Sequence, residues 1–130
     1  MLEIIAACAM LAVLLGLTVE MLTVTAVERR AVERRATAIL EAANIAERAS
    51  LLGWDETTSE KMAALDLSAE VKKSLPDATL KLSVDPVEMS ASEPAAKHVR
   101  IEITWSGPTG REAPVRLSYW VYAAGGGPRS

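Results

Sequence analysis

The chain has 130 residues, enough for one small domain, and its 17 acidic and 14 basic residues give a formal net charge of −3. This balance provides no basic field, so nucleic acid is not an expected partner. The single cysteine, Cys8, excludes an intramolecular disulfide and a cysteine metal cluster, and the single histidine, His98, has no second histidine with which to form a metal site. No cofactor is therefore expected.

Residues 2–27 form an apolar stretch that contains only two charged residues, Glu3 and Glu20. At a helical rise of about 1.5 Å per residue, residues 4–19 extend roughly 24 Å and residues 4–27 roughly 36 Å. No positive charge precedes residue 4 and no cleavage site follows the stretch, unlike in a secretory signal peptide. Residues 1–27 are therefore predicted to be the transmembrane half of a long helix. A buried Glu3 there needs neutralisation or a partner, and the alternative is that Glu3 lies at the headgroup level at the start of the helix.

The helix is predicted to continue through residues 28–53, because no proline or glycine interrupts the sequence between Gly16 and Gly53. The duplicated sequence AVERRAVERR at residues 26–35 surrounds the helix with charge where it leaves the membrane. By the positive-inside rule alone, its arginines would place the C-terminal side in the cytoplasm. Beyond it, an apolar stripe is expected to face the rest of the protein, with Glu41 off that stripe. The stripe comprises Val32, Ala36, Ile39, Ala43, Ala46 and Ser50, with Leu40 beside it.

Residues 54–77 are predicted to link this helix to a sheet through two short helices, one within residues 59–65 and one between the N-cap Ser68 and Pro76. Residues 78–124 then show strand periodicity, with a polar loop at residues 85–97 and a turn at residues 106–110. The inward positions are Leu80, Leu82, Val84, Val99, Ile101, Ile103, Trp105, Val115, Leu117, Tyr119 and Val121. The predicted fold is α+β, a long N-terminal helix packed on an antiparallel sheet of about three strands, followed by a flexible tail at residues 125–130.

The polar residues of the sheet region form no recognisable active site. His98 lies near Asp85 without a nucleophile-elbow pattern, and Glu102 and Glu112 are spaced like surface carboxylates. Asp77, Asp85 and Glu88 follow no calcium-loop pattern. The sequence therefore predicts a protein that is not an enzyme.

Two aromatic residues, Trp120 and Tyr122, have the strand parity opposite to that of the inward residues. They are expected either to form an exposed patch for a partner or to lie under a second, partly covered face. Trp54, at the end of the long helix, is expected to be a packing anchor.

Leu2 and Glu3, the unbroken apolar helix that follows, the charged amphipathic half and the small sheet together resemble the type IV pilin-like family, particularly the minor pseudopilins of type II secretion. Residues 34–56, RRATAILEAANIAERASLLGWDE, resemble the post-membrane helix of that family. The resemblance implies a filament subunit held in the bacterial inner membrane before assembly, with its C-terminal domain in the periplasm. It also implies that Glu3 neutralises the N-terminal amine of a neighbouring subunit. The implied partners are other pilin or pseudopilin subunits, an inner-membrane assembly platform and membrane lipid.

The chain departs from the family pattern before Leu2. The family has a short basic leader that ends in glycine, and a prepilin peptidase cuts after it, ahead of Phe-Thr-Leu-Leu-Glu or Phe-Thr-Leu-Ile-Glu. Here Met1 stands where another apolar residue would be, and the leader, glycine, phenylalanine and threonine are absent. A start codon a short way upstream would supply a leader, make the peptidase a partner and reverse the orientation that the arginines favour.

A second interpretation is a single-pass, membrane-anchored accessory or scaffold protein that does not polymerise and presents Trp120 and Tyr122 to its partner. The upstream nucleotide sequence distinguishes the two. An in-frame basic leader that ends in Gly-Phe-Thr favours the filament subunit, and stop codons there favour the anchor.

Overall fold

The structure is a computed structural model that describes residues 1–88 and 95–123. Its elements in chain order are α1 (Leu2–Ser50), α2 (Ser59–Ala63), α3 (Ala69–Ser74), β1 (Thr79–Val87), β2 (Ala96–Thr104), β3 (Ser106–Gly107), β4 (Gly110–Arg111) and β5 (Val115–Tyr122). The predicted α+β architecture, a long N-terminal helix packed on a small antiparallel sheet, is confirmed. The predicted tail at residues 125–130 lies outside the described residues.

The chain divides into two compact units, Met1–Glu33 and Arg34–Ser130, and the division falls within α1. The first unit is helical and its residues are exposed, including large apolar side chains such as Leu14, Leu22 and Val27. In the second unit α1 ends at Ser50, earlier than the predicted stop at Gly53. Folding of the first unit therefore leaves its apolar surface uncovered.

The buried face of α1 in the second unit is not the predicted stripe. The buried residues of α1 are Ala38, Glu41, Ala42, Ile45 and Ala49. By contrast, Val32, Ile39 and Leu40, all assigned to the stripe or its border, are 68%, 49% and 67% exposed. One position along a helix is a rotation of about 100°, so a shift of one residue is enough to turn the stripe out of the core.

Small side chains and one hydrogen-bonded carboxylate lie on the buried face of α1. Alanines let the helix approach the rest of the core closely, and Ile45 fills the space between them with no exposed surface. Glu41 is 4% exposed because its Oε1 accepts a hydrogen bond from the backbone N–H of Ser68 at 2.7 Å. The buried alanines and Ile45 thus recur at helical steps of four and three, one position before the predicted stripe, and Glu41 is buried beside them through its hydrogen bond with Ser68.

The three-stranded sheet has the order β1-β2-β5 and is antiparallel throughout. The central strand β2 supplies the predicted inward residues Val99, Ile101 and Ile103, each 0% exposed, and the predicted core residue Trp105 is 3% exposed. Leu117, also predicted to face inward, is 38% exposed, because it lies on the edge strand β5 and outside the core cluster. The strand periodicity therefore predicted the sheet face correctly, except at its edge.

The connection between β1 and β2 is shorter than the predicted loop at residues 85–97. Strand β1 continues to Val87, which pairs with Ala96 at the start of β2. Pro86 is tolerated because β1 is an edge strand, where a missing N–H leaves the outer side of the ladder unaffected. The predicted turn at residues 106–110 forms a small ribbon of β3 and β4.

The two predicted linking helices are present. Thr58 caps α2, and the predicted N-cap Ser68 caps α3, its side chain accepting from the N–H of Val71. Trp54 is anchored by Lys97, whose Nζ lies 4.4 Å from the ring centroid and donates to the Trp54 carbonyl at 2.7 Å. This contact joins the segment after α1 to the start of β2.

Candidate assembly surfaces

The apolar part of α1 is one candidate surface. By length and composition α1 could cross a membrane, and none of its most apolar window is buried within the protein. The core helix of a soluble protein would be mostly buried instead. This segment near the N-terminus is thus long and apolar enough to cross a membrane, and its apolar surface is exposed.

The structure places Glu3 in the first turn of α1, exposed between the apolar side chains of Leu2 and Ile4. An acid at this end of a helix is favoured by the helix dipole. None of the ion pairs among the described residues involves Glu3. The partner that the resemblance implies for Glu3 would thus have to come from another chain.

Glu20 is a second acid in the same apolar surface, and sequence reasoning assigned it no role. It is exposed, and no ion pair among the described residues involves it. The three nearby hydroxyls, those of Thr18, Thr23 and Thr25, all donate to backbone carbonyls of α1 at 2.7 or 2.8 Å. The signal for Glu20 was already in the sequence, since apolar residues lie on both sides of it.

The second candidate surface is an exposed aromatic patch on the outer face of the sheet, formed by His98, Trp120 and Tyr122. Trp120 is 46% exposed and Tyr122 is 54% exposed, which agrees with the exposed patch rather than with a covered second face. The His98 ring stacks on Trp120 with centroids 4.5 Å apart and an interplanar angle of 19°. The sequence did not assign His98 to this patch, although its outward parity on the neighbouring strand was readable.

Ion pairs cover the rest of the outer face. Arg100 Nη2 lies 2.5 Å from Asp85 Oδ2, and Arg116 Nε lies 2.6 Å from Glu102 Oε2. The hydrogen bond from Arg116 holds the pKa of Glu102 below its ordinary value. Such cross-strand pairs are typical of a solvated sheet face. The aromatic patch differs from this charged part of the outer face.

The candidate calcium residues are not brought together as a metal site. Asp85 is engaged by Arg100, and in residues 1–88 and 95–123 no group of three His, Cys, Asp or Glu side chains could hold a metal ion. Towards the interior, the buried hydroxyl of Tyr119 has no hydrogen-bond partner in the part of the chain that the structure describes, and burial raises the pKa of this residue.

Comparison with known proteins adds no relative from which a role can be transferred. No family model, no curated protein and no solved structure matches this chain.

Proposed function

We propose that this chain is a non-enzymatic structural subunit of a type IV pilus-like filament or a type II secretion pseudopilus. Helix α1 would lie in the bacterial inner membrane before assembly and in the filament core afterwards, with the sheet in the periplasm. The observation that carries the proposal is the exposed apolar surface of the first unit, which contains Glu3 and continues into a helix packed on a small sheet. The assembly platform and, with an upstream leader, the prepilin peptidase would be its transient partners.

The exposed apolar residues beyond the charged segment favour a filament subunit over a plain anchor. Ile39 and Leu40 lie in the second unit, past the arginines of residues 29–35, and yet they are 49% and 67% exposed. Lipid does not reach a segment that is separated from the membrane by such a charged stretch. Exposed apolar side chains at this position are instead suited to contact with neighbouring copies.

Glu3 is proposed to pair with the N-terminal amine of a neighbouring subunit. Its position among exposed apolar residues makes an unpaired carboxylate costly once the surface is covered by lipid or by other helices. A cation from the neighbour removes that cost, and the pairing requires correct placement of the incoming helix. Glu3 would thus select correctly placed neighbours during assembly.

Replacing Glu3 by alanine tests this role. In purified full-length protein from which detergent is removed, we expect the fraction that sediments as large assemblies to fall at least fivefold, because the incoming amine loses its partner. The thermal unfolding of the sheet should not change, since Glu3 lies outside the core. Glu28→Ala, which removes an acid beyond the apolar stretch, is the matched control and should reduce sedimentation less than twofold.

Normal sedimentation of the Glu3→Ala protein would show that the assigned role of Glu3 is wrong. A separate outcome concerns the unaltered protein: if it did not sediment under any condition, polymerisation itself would be contradicted.

The second candidate function is a membrane-anchored accessory protein, which the exposed Trp120 and Tyr122 favour. In that case the patch would bind another protein while α1 remained in lipid. For such a protein we expect a monomer in membranes that binds a partner, and Trp120→Ala should abolish that binding.

A further inference from the structure

Glu20 lies inside the apolar surface rather than at its border. Seven uncharged residues, 21–27, separate it from the charged segment, which corresponds to about 10 Å at the helical rise. On its other side, residues 4–19 contain no charge. A carboxylate at this depth is costly in lipid or between apolar helices unless a donor or cation reaches it.

Within residues 1–88 and 95–123, no ion pair or side-chain hydrogen bond involves the Glu20 carboxylate. The hydroxyls of Thr18, Thr23 and Thr25 are directed to backbone carbonyls, including the carbonyl of Glu20. Residues 1–28 contain no lysine or arginine side chain, so Arg29 is the nearest basic residue. It lies nine residues away, at about 13.5 Å along the axis and about 180° around it, so the two side chains of one helix cannot meet.

Neighbouring parallel copies can bring these two groups together only when they are staggered. Two copies at the same level place Glu20 beside Glu20, which is repulsive. A shift of about 13.5 Å along the axis places Glu20 of one copy at the level of Arg29 of the next. Because the two residues lie on opposite faces, each copy can pair through Glu20 on one side and through Arg29 on the other.

We propose that Glu20 forms an intermolecular ion pair with Arg29 of a neighbouring copy and so fixes the stagger between adjacent α1 helices. This inference rests on the proposed function, since it requires parallel copies packed side by side. The contact is heterologous, because it uses two different faces of the same helix, and a heterologous contact with an axial shift extends without closing. The partner of this surface is therefore a second copy of this chain.

Gly16 supports the same face as the contact surface. It precedes Glu20 by four residues, so it lies on nearly the same side of the helix, and there is open space around its missing side chain. A small residue here lets a neighbouring helix approach closely. A close approach at Gly16 brings the arginine side chain of the neighbour within reach of the carboxylate.

Carbodiimide cross-linking of an Arg29→Lys variant tests the pair. The lysine keeps the positive charge, and a membrane-permeant carbodiimide joins its amine to the Glu20 carboxyl as an amide, taking up the released water as a urea. In assemblies of isotopically light and heavy full-length chains, we expect mixed-label peptides that join residues 20 and 29, together with a ladder of covalent multimers. Arg30→Lys is the matched control and should give at least fivefold less cross-linking to Glu20, because position 30 faces about 100° away.

Charge reversal gives an independent measurement. Glu20→Arg should lower the sedimenting fraction at least fivefold, and the double variant Glu20→Arg with Arg29→Glu should restore it to within twofold. Equal cross-linking from positions 29 and 30, or no rescue by the double reversal, would overturn the Glu20–Arg29 pair while leaving the filament proposal intact if the unaltered chain still sediments. Failure of the unaltered chain to assemble would overturn both.

Discussion

An Ile45→Ala variant is expected to lose about 3 kcal/mol of unfolding free energy in the second unit. Ile45 has no exposed surface and belongs to the core cluster, so its truncation removes apolar contacts and leaves a cavity. Urea denaturation of the protein in mild detergent, followed by tryptophan fluorescence, measures the change. Trp105 is 3% exposed in the same cluster and reports loss of the core.

Ile39→Ala is the matched control, since it removes the same atoms from the same helix at a position that is 49% exposed. It should cost less than about 1 kcal/mol, as is usual for surface positions. The comparison decides which face of α1 packs on the sheet. A larger loss at Ile39 than at Ile45 would mean that the stripe predicted from periodicity is buried and that the helix orientation described above is wrong.

Removing residues 1–33 is expected to change the behaviour of the protein from membrane-bound to water-soluble. The core residues begin at Ala38, so a chain that starts at Arg34 retains every member of the two buried clusters. In cell fractionation, at least ten times more of the shortened chain than of the full chain should appear in the soluble fraction. The full chain should stay with membranes after alkaline extraction, as a helix inserted in lipid does.

The shortened chain should also keep its cooperative thermal unfolding. Aggregation or a non-cooperative transition would show that the first 33 residues contribute to the fold. Recovery of the full chain as a soluble monomer would contradict a membrane location for α1.

The elements with strong local signals were predictable from the sequence. The uninterrupted helix, the Ser68 cap, the inward residues of β2 and the core position of Trp105 each follow from one pattern of neighbouring residues. Strand parity also placed Trp120 and Tyr122 on the face opposite to the core, but it left open whether that face is exposed or partly covered. Such features depend on local geometry, which the sequence encodes directly.

The features that depend on contacts between distant residues were not predictable. An alanine-rich helix shows little contrast between its faces, and the hydrogen bond that keeps Glu41 buried comes from Ser68, 27 positions away. Apolar side chains such as Ile39 and Leu40 led to the prediction that their face of α1 is buried, although both are exposed. Under the proposed function, α1 would have an inner face against the core and an outer face against other copies, and apolar periodicity would not distinguish the two.

The stacking of His98 on Trp120 has a similar cause. It depends on the register of β2 against β5, in which these two residues are direct partners. The sequence predicted both strands but not their alignment, because the connection through β3 and β4 sets the offset.

Both acids of the apolar surface favour polymerisation over an isolated membrane anchor. Glu3 and Glu20 are both exposed and lie near opposite ends of the uncharged residues 4–19. An isolated single-pass anchor leaves both carboxylates among lipid chains, whereas an array of staggered copies can supply a cation to each. In the free subunit these two carboxylates are unfavourable in lipid. Polymerisation would convert them into ion pairs that stabilise the filament.

Polymerisation of this chain can be observed by negative-stain electron microscopy of the purified full-length protein after detergent removal. We expect open filaments of variable length, which shorten or disappear with Glu3→Ala and with Glu20→Arg. Discrete closed oligomers, or isolated subunits dispersed in added liposomes with no filaments at any protein concentration, would contradict it.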